Sequence, residues 1–115
     1  MQKTFSQHTV KNLNDICQRV RNNPSAHHRV SEWVREMCYS TDHFIQVFTK
    51  HMKMTPGTFI QKCRIENADA LLRMSSYSIS QIALLCGYND VYSFSRRFKY
   101  YTGLSPSHYR SGVSM

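Results

Sequence analysis

Two short segments, residues 41–50 and 90–99, carry polar side chains at spacings that bring them to one face of a helix. Arg96 can donate two parallel hydrogen bonds to O6 and N7 of guanine, and Gln46 can pair in the same two-point manner with adenine. Ile45 and Val91 can pack against the methyl group of thymine. Side chains of these types, on one face of a helix, are suited to recognition of the edges of base pairs.

The cysteines and histidines do not form a pattern typical of catalysis or of metal binding. The four cysteines are Cys17, Cys38, Cys63 and Cys86, and no two of them form a CxxC pair. The histidines show no HExxH spacing, and no Ser-His-Asp order or pair of carboxylates stands out. The cysteines are expected to be buried, reduced thiols of a cytosolic protein, and no metal or other cofactor is expected. The chain is not expected to be an enzyme.

The charge of the chain indicates a polyanionic partner. Its 115 residues include 15 Lys and Arg against 7 Asp and Glu, which gives a formal net charge of +8. A small folded domain with such an excess often binds nucleic acid. Charge alone also fits a solubility surface, an enzyme for acidic substrates or a peripheral membrane protein. No apolar run approaches the roughly 18 residues needed to span a bilayer, so no membrane is expected as a partner.

Apolar residues recur at helical spacing along the chain, and strand signals are nearly absent. The pattern predicts an all-α protein of about seven helices. The residues that mark the apolar faces of the first six are Leu13, Ile16, Cys17 and Val20; Val30, Trp33, Val34 and Met37; Phe44, Val47 and Phe48; Phe59, Ile60, Cys63, Ile65, Ala68, Leu71 and Leu72; Ile79, Ile82, Ala83 and Cys86; and Phe94, Phe98 and Tyr101. A last short helix is predicted after Ser105, with Pro106 at its first position.

The second half of the chain repeats the pattern of the first half. Val30-Ser31 matches Ile79-Ser80 at an offset of 49 residues, and Thr55-Pro56 matches Ser105-Pro106 at an offset of 50. Each copy is a short helix, a tight turn and a second helix, which is the helix-turn-helix pattern. Gly87 can take the left-handed conformation that ends the fifth helix, and Asp90 can cap the start of the sixth.

The segments ISQIALLCGYNDVYSFSRRFKYYTGLSPSHYR, residues 79–110, and RIENADALL, residues 64–72, resemble the DNA-binding domain of the AraC/XylS family of bacterial transcription regulators. The resemblance covers residues 13–110. It implies two helix-turn-helix subdomains joined by a long linker helix, with two recognition helices in successive major-groove segments. The expected divisions are a linker or tail remnant at 1–10, a first lobe at 11–54, the linker helix at 55–76 and a second lobe at 77–115.

The first copy departs from the family pattern. Cys38 stands in place of the usual turn glycine, and Lys53 in place of the glycine after the recognition helix. Val34 replaces a small alanine. A non-glycine residue in the left-handed conformation costs roughly 1–2 kcal/mol. The first turn is therefore expected either to be altered or to weaken its lobe.

The outward positions of the two recognition helices give the candidate DNA contacts. Asp42 can accept from cytosine N4, or it can favour the helix N-terminus. The role of Arg97 is open, because small or apolar residues are usual there in the family. Solvated surface charge remains the alternative for Arg97 and Lys99. The base-reading candidates are Thr41, Asp42, Ile45, Gln46, Val91, Tyr92, Ser95 and Arg96, and the phosphate candidates are Arg29, Thr49, Lys50, Ser78, Arg97 and Lys99; Lys62 and Arg64 are weaker, Arg64 being a possible structural residue of the linker helix.

The predicted function is sequence-specific binding of double-stranded DNA in transcription regulation, in the cytoplasm and at the nucleoid. RNA polymerase is expected as a partner, and the resemblance implies an effector-sensing or dimerisation domain preceding this one. An activator is expected, with repression left open. The chain is expected to be a fragment of such a regulator. Two other functions stay open, namely a protein-interaction module and a DNA-repair methyl acceptor. The dispersed cysteines argue against the methyl acceptor.

Overall fold

The computed structural model describes residues 5–113, and these residues form seven α-helices and no strand. The predicted all-α class with a long linker helix is confirmed. The helices are α1 (Gln7–Asn22), α2 (Val30–Met37), α3 (Thr41–Met52), α4 (Pro56–Met74), α5 (Ile79–Leu85), α6 (Val91–Thr102) and α7 (Pro106–Val113). No helix in residues 5–113 is both long enough and apolar enough to cross a membrane.

The chain forms two compact units, and each is built from two separate stretches of the sequence. The first unit comprises residues 5–23 together with His28–Ile60. The second comprises Pro24–His27 and residues 61–113. The helix α4 passes from the first unit to the second after Ile60. The helix α1 begins at Gln7, so it includes the last four residues of the segment 1–10 that was expected to be a linker remnant.

The core of the first unit is built on aromatic side chains. Leu13, Ile16 and Val20 of α1 are buried, as the helical spacing predicts. The Trp33 ring of α2 stacks on Phe48 of α3, with ring centroids 6.3 Å apart and planes 11° from parallel. Burial of large apolar and aromatic side chains is the main stabilising contribution to such a small unit.

The core of the second unit joins α4, α5 and α6. Its fully buried residues on α5 and α6 include Ile82, Ala83, Phe94 and Phe98. The spacing of Phe94 and Phe98, four residues apart, places both rings on the inner face of α6. The outer face of α6 is thereby left for polar side chains.

The two helix-turn-helix turns have the same backbone geometry. Cys38 has φ 57° and Gly87 has φ 93°, both left-handed. The N–H of Tyr39 donates to the carbonyl of Val34 at 3.2 Å, and the N–H of Tyr88 donates to that of Ala83 at 3.0 Å. Of the two expected outcomes for the first turn, alteration is therefore ruled out. The turn is kept, and Cys38 adopts a conformation that glycine would take with less strain.

The helix starts show where the copies differ. Ser40 and Asp90 cap α3 and α6 by accepting from the N–H groups of His43 and Ser93. Ser78 forms a reciprocal capping box with Gln81 at the start of α5. Arg29, at the equivalent position before α2, makes no side-chain capping hydrogen bond. The first helix-turn-helix therefore lacks a cap that the second has.

Three of the four cysteines are buried, as expected, but Cys38 is exposed. The expectation of four buried thiols was wrong for this residue, because Cys38 lies in the left-handed turn after α2 rather than on the apolar face of a helix. Burial raises the pKa of the Cys86 thiol to about 11, so this thiol stays protonated near neutral pH. Among residues 5–113, no group of three or more His, Cys, Asp or Glu side chains is placed to hold a metal ion.

Candidate nucleic-acid interface

In the first unit, the polar face of α3 is exposed. Thr41, Asp42, Gln46 and Lys50 are all exposed, and Ile45 has 38% of its surface accessible. The buried residues of the same helix, Phe44, Val47 and Phe48, hold its opposite face to the core. The structure thus brings together the base-reading candidates of the first lobe on one helix, with Lys50 beside them.

Thr49 and Arg29 lie apart from this face. The hydroxyl oxygen of Thr49 is buried and has no hydrogen-bond partner among the described residues. Arg29 is exposed but precedes α2 rather than lying on α3. Ser78, the corresponding residue of the second unit, is exposed, and its hydroxyl oxygen accepts the N–H of Gln81 at 3.1 Å. These three phosphate candidates are therefore not part of the exposed recognition faces.

In the second unit, α6 presents a strip of large side chains to solvent. Tyr92 is 73% exposed, and Arg96 and Lys99 are exposed too. Val91 and Ser95 are half-buried. Tyr92, Arg96 and Tyr100 are spaced four residues apart and follow one line along the helix. The exposed Arg96 thus lies on the same side of α6 as two exposed tyrosines.

The start of α6 is fixed by Asp90. Its carboxylate accepts the Ser93 N–H at 2.7 Å and the Ser93 hydroxyl at 3.2 Å. The hydrogen bond from the Ser93 N–H holds the pKa of Asp90 below its ordinary value, with a smaller contribution from the positive charge of Arg96. Asp90 is therefore ionised near neutral pH and occupied as a helix cap.

A cleft of about 530 Å³ lies beside α6 in the second unit. One wall is formed by α4, a second by the turn before α6, and a third by α6 itself. The lining residues are Gln61 and Arg64 of α4, Gly87, Tyr88, Asn89 and Asp90 of the turn, and Ser93, Arg96, Arg97 and Tyr100 of α6. Gln61 and Tyr100 were not among the sequence-based candidates, because no local pattern relates α4 to the far end of α6.

Arg64 is a structural residue of this cleft. Its Nε donates to the carbonyl of Pro24 at 3.0 Å and its Nη2 donates to that of Ala26 at 3.2 Å. Its guanidinium carbon lies 5.7 Å from the centroid of the Tyr88 ring. Both acceptors are neutral, so the guanidinium charge persists in the cleft. These contacts agree with the structural role that was considered for Arg64 from the sequence.

Within residues 5–113, the cations on the exposed faces of α3 and α6 form no salt bridge with a carboxylate. The salt bridges found in residues 5–113 join Lys11 to Asp15, Arg19 to Glu36 and Arg73 to Asp69. None of them includes Lys50, Arg96, Arg97 or Lys99. These cations can approach an anionic polymer without first breaking an ion pair.

The helix-turn-helix domain family matches residues 33–112 of the chain. An HTH-type transcriptional regulator of Haemophilus influenzae is 35% identical to the chain over 105 residues, which cover 91% of the chain and 35% of that relative. A solved AraC-type regulator from Chromobacterium violaceum has a TM-score of 0.81 at 19% identity, covering 96% of this chain and 98% of that chain. The DNA-binding domain of AdpA, solved in complex with a target DNA, has a TM-score of 0.81 at 22% identity, covering 88% of this chain and 91% of that chain.

The chain belongs to the AraC-type helix-turn-helix family. This family consists of DNA-binding transcription regulators rather than enzymes. The chain spans about a third of the length of the Haemophilus influenzae relative. The predicted resemblance to the AraC/XylS family is confirmed.

Within this AraC-type domain, sequence reasoning missed one further pair of equivalent contacts. The Tyr88 hydroxyl donates to Oε1 of Gln61 at 2.7 Å, and the Tyr39 and Thr9 hydroxyls lie 3.1 Å apart. In both units the tyrosine after the left-handed turn residue thus bonds to the helix that precedes the helix-turn-helix. Tyr39 and Tyr88 are 49 residues apart, which is the offset of the repeat at its first matched pair, so the repeat carried a signal for this shared role.

Proposed function

We propose that this AraC-type domain binds double-stranded DNA in a sequence-specific manner to regulate transcription, with α3 and α6 as the recognition helices. The observation that carries the proposal is the exposed, hydrogen-bonding face of each helix with its unpaired cations. A net charge of +8 favours the approach of the domain to DNA. DNA binding of this kind would place the domain in the cytoplasm and at the nucleoid.

The roles of individual residues follow from their exposure and chemistry. We assign Arg96 to guanine and Gln46 to adenine, because each can form two parallel hydrogen bonds with its base. Ile45 and Val91 would contact thymine methyl groups. Thr41, Asp42, Tyr92 and Ser95 remain base-edge candidates, and Lys50, Arg97 and Lys99 are phosphate candidates. Arg29, Ser78 and Thr49 remain weaker phosphate candidates, since each lies off the exposed recognition faces.

The experiment that tests this function is selection of bound sequences from a random duplex library. We expect two conserved base clusters, one for each recognition helix. The Arg96→Ala variant should lose base preference within one cluster, and Gln46→Ala should lose it within the other. Selection that enriches no sequence from a library the domain does bind would contradict sequence-specific recognition. Failure to bind any duplex would favour the protein-interaction alternative.

The full-length relatives suggest further partners for a longer protein. The chain covers only 35% of the relative from Haemophilus influenzae, so a regulator of that length has room for another domain. We propose that an effector-sensing or dimerisation domain precedes the DNA-binding domain and that RNA polymerase is contacted during activation. Leu84 and Leu85 on α5, which are 64% and 48% exposed, are the candidate contact for one of these partners.

A further inference from the structure

We propose that the cleft between α4 and α6 in the second unit binds a phosphate group, with Arg97 as its principal ligand. This inference rests on the proposed DNA-binding function for the source of the phosphate, namely the DNA backbone. A small phosphate ester offers the same chemistry, and the second test distinguishes it from the DNA backbone. The cleft, with a volume of about 530 Å³, lies beside the exposed strip of α6 that includes Arg96.

The charges of the cleft favour an anion. Three of its lining residues are arginines, Arg64, Arg96 and Arg97, and the acidic lining residue is Asp90. The Asp90 carboxylate is engaged by the Ser93 N–H and hydroxyl, while Arg64 is bonded to two neutral carbonyls. Within the described part of the chain, neither Arg96 nor Arg97 makes a salt bridge. The cleft thus holds more positive than negative charge, and two of its arginines, Arg96 and Arg97, form none of the salt bridges found in residues 5–113.

Arg97 lines this cleft from α6. Ser93, Arg96, Arg97 and Tyr100 all line it, and their spacing follows one side of α6. Burial raises the pKa of Tyr88 to about 12, and the positive charges of Arg64 and Arg97 oppose that rise. The charge of Arg97 is therefore felt at a residue on the opposite wall. Arg97 thus faces the cleft, in contrast to the more outward Tyr92.

Gln61 supplies a neutral donor on the opposite wall. Its Oε1 accepts the Tyr88 hydroxyl at 2.7 Å, which orients the amide group. The amide N–H groups then remain to donate, since a glutamine amide carries two donors besides its acceptor. A planar guanidinium and an amide on facing walls match the several oxygen acceptors of a phosphate group.

The first test removes the charge of a single DNA phosphate, of Arg97, or of both. Affinity would be measured for a set of duplexes in which single backbone phosphates are replaced in turn by uncharged methylphosphonates. We expect one position at which the replacement weakens the wild-type domain but not the Arg97→Ala variant. Arg97→Ala should weaken binding to every sequence by about tenfold and shrink the log–log salt slope by about 1. The matched control is Arg35→Ala, which removes an exposed arginine of α2 that forms none of the salt bridges found in residues 5–113. Replacing the same phosphate should weaken this variant as much as it weakens the wild type.

Two further variants distinguish a direct contact with the phosphate from general electrostatic attraction. Arg97→Lys should retain the salt slope but lose part of the affinity, because an ammonium cannot form the two-point contact. Gln61→Glu keeps an acceptor for the Tyr88 hydroxyl and places a negative charge in the cleft, so it should weaken binding to all sequences. Both variants should retain the base preference of the wild type. Unchanged affinity in Gln61→Glu would overturn the assignment of this wall.

The second test identifies the source of the phosphate. Amide resonances of Gln61, Arg97 and Tyr100 would be followed by NMR during titration with inorganic phosphate and with ribose 5-phosphate, in the wild type and in Arg97→Ala. Suppose that the shifts are saturable and depend on Arg97, but no methylphosphonate position distinguishes Arg97→Ala from the wild type. The cleft would then bind phosphate, but its ligand would be a small phosphate ester rather than the DNA backbone. Equal penalties for wild type and Arg97→Ala at every backbone position, together with no shifts, would overturn the phosphate cleft. Base selectivity through Arg96 would then still stand, whereas a domain that binds no duplex would refute the proposed function itself.

Discussion

Arg96 and Lys99 lie on the same helix but should differ in what they recognise. Arg96 can pair with a guanine edge, whereas the flexible ammonium of Lys99 suits a phosphate. We expect Arg96→Ala to cost about 1–3 kcal/mol on the preferred site and to relax base choice at one position. Lys99→Ala should weaken all sequences about equally and shrink the salt slope by about 1. Competition binding with single-base variants of the site measures both, and an unchanged base preference in Arg96→Ala would remove its assignment.

Gly87 should tolerate a side chain much less well than Gly103. Both have positive φ, 93° and 85°. A Cβ at Gly87 would lie 2.9 Å from the carbonyl oxygen of Ser25 and 3.2 Å from the guanidinium carbon of Arg64, whereas a Cβ at Gly103 would meet nothing within 4 Å. We expect Gly103→Ala to lower the free energy of unfolding by about 1–2 kcal/mol and Gly87→Ala to lower it by roughly 2–4 kcal/mol. Urea unfolding measures both losses, and equal losses would show that the contact with Ser25 relaxes at no cost.

The identity of individual contact residues was only partly predictable. The helical period correctly separated the buried Phe94 and Phe98 from the exposed Arg96, because that separation depends on local geometry alone. The bonds of Arg64 to Pro24 and Ala26 join residues about 40 positions apart. Sequence spacing carries no information on such contacts. The same limit applies to the cleft, which joins Gln61 to Tyr100.

The first helix-turn-helix keeps the geometry of the second with less favourable residues. Cys38 occupies the left-handed turn position that Gly87 holds in the second copy. We expect Cys38→Gly to raise the free energy of unfolding by up to about 1 kcal/mol, since relief of the left-handed strain exceeds the entropy cost of glycine. Cys38→Ser, which keeps a Cβ, should give no gain. Chemical denaturation of the three proteins provides the measurement, and a loss of stability in Cys38→Gly would show that the thiol makes a stabilising contact.

The exposed pair on α5 should affect transcription without affecting DNA binding. Leu84 and Leu85 are 64% and 48% exposed, whereas Ile82, Ala83 and Cys86 hold the helix to the core. We expect the double variant Leu84→Glu, Leu85→Lys to retain its fold and its affinity for DNA and to reduce transcriptional output from the full-length regulator. Circular dichroism, a binding titration and a reporter assay separate these properties. An unfolded variant would assign the leucines to the core, and normal output would remove the proposed partner contact.

The repeated elements were predictable from the sequence because both copies use the same local signals. Asp90 was expected as a cap, and both it and its counterpart Ser40 accept a hydrogen bond from the N–H three residues later. The fate of Cys38 could not be decided in this way. A cysteine can take a left-handed conformation at a moderate cost in free energy. Whether the packing of the surrounding helices offsets this cost cannot be deduced from local sequence.

The excess of positive charge should dominate the response of the whole domain to salt. Binding that neutralises about six phosphates gives a slope near −5 for the logarithm of affinity against the logarithm of salt concentration. The net charge of +8 and the unpaired cations on α3 and α6 motivate this expectation. Fluorescence anisotropy with one duplex at several salt concentrations gives the slope. A flat dependence would contradict DNA binding through these cations.

The second unit contains a piece of chain that is synthesised long before the rest of it. Pro24–His27 belongs to this unit, although Gln61 is the next of its residues along the chain. The two carbonyls that Arg64 binds and the backbone that approaches Gly87 all lie in that early piece. A polypeptide of residues 61–115 alone would therefore expose Arg64 to water and leave an unfilled surface beside Gly87. On the ribosome, the unit cannot complete its packing from its C-terminal residues alone, because its first-made segment must still be free to join them.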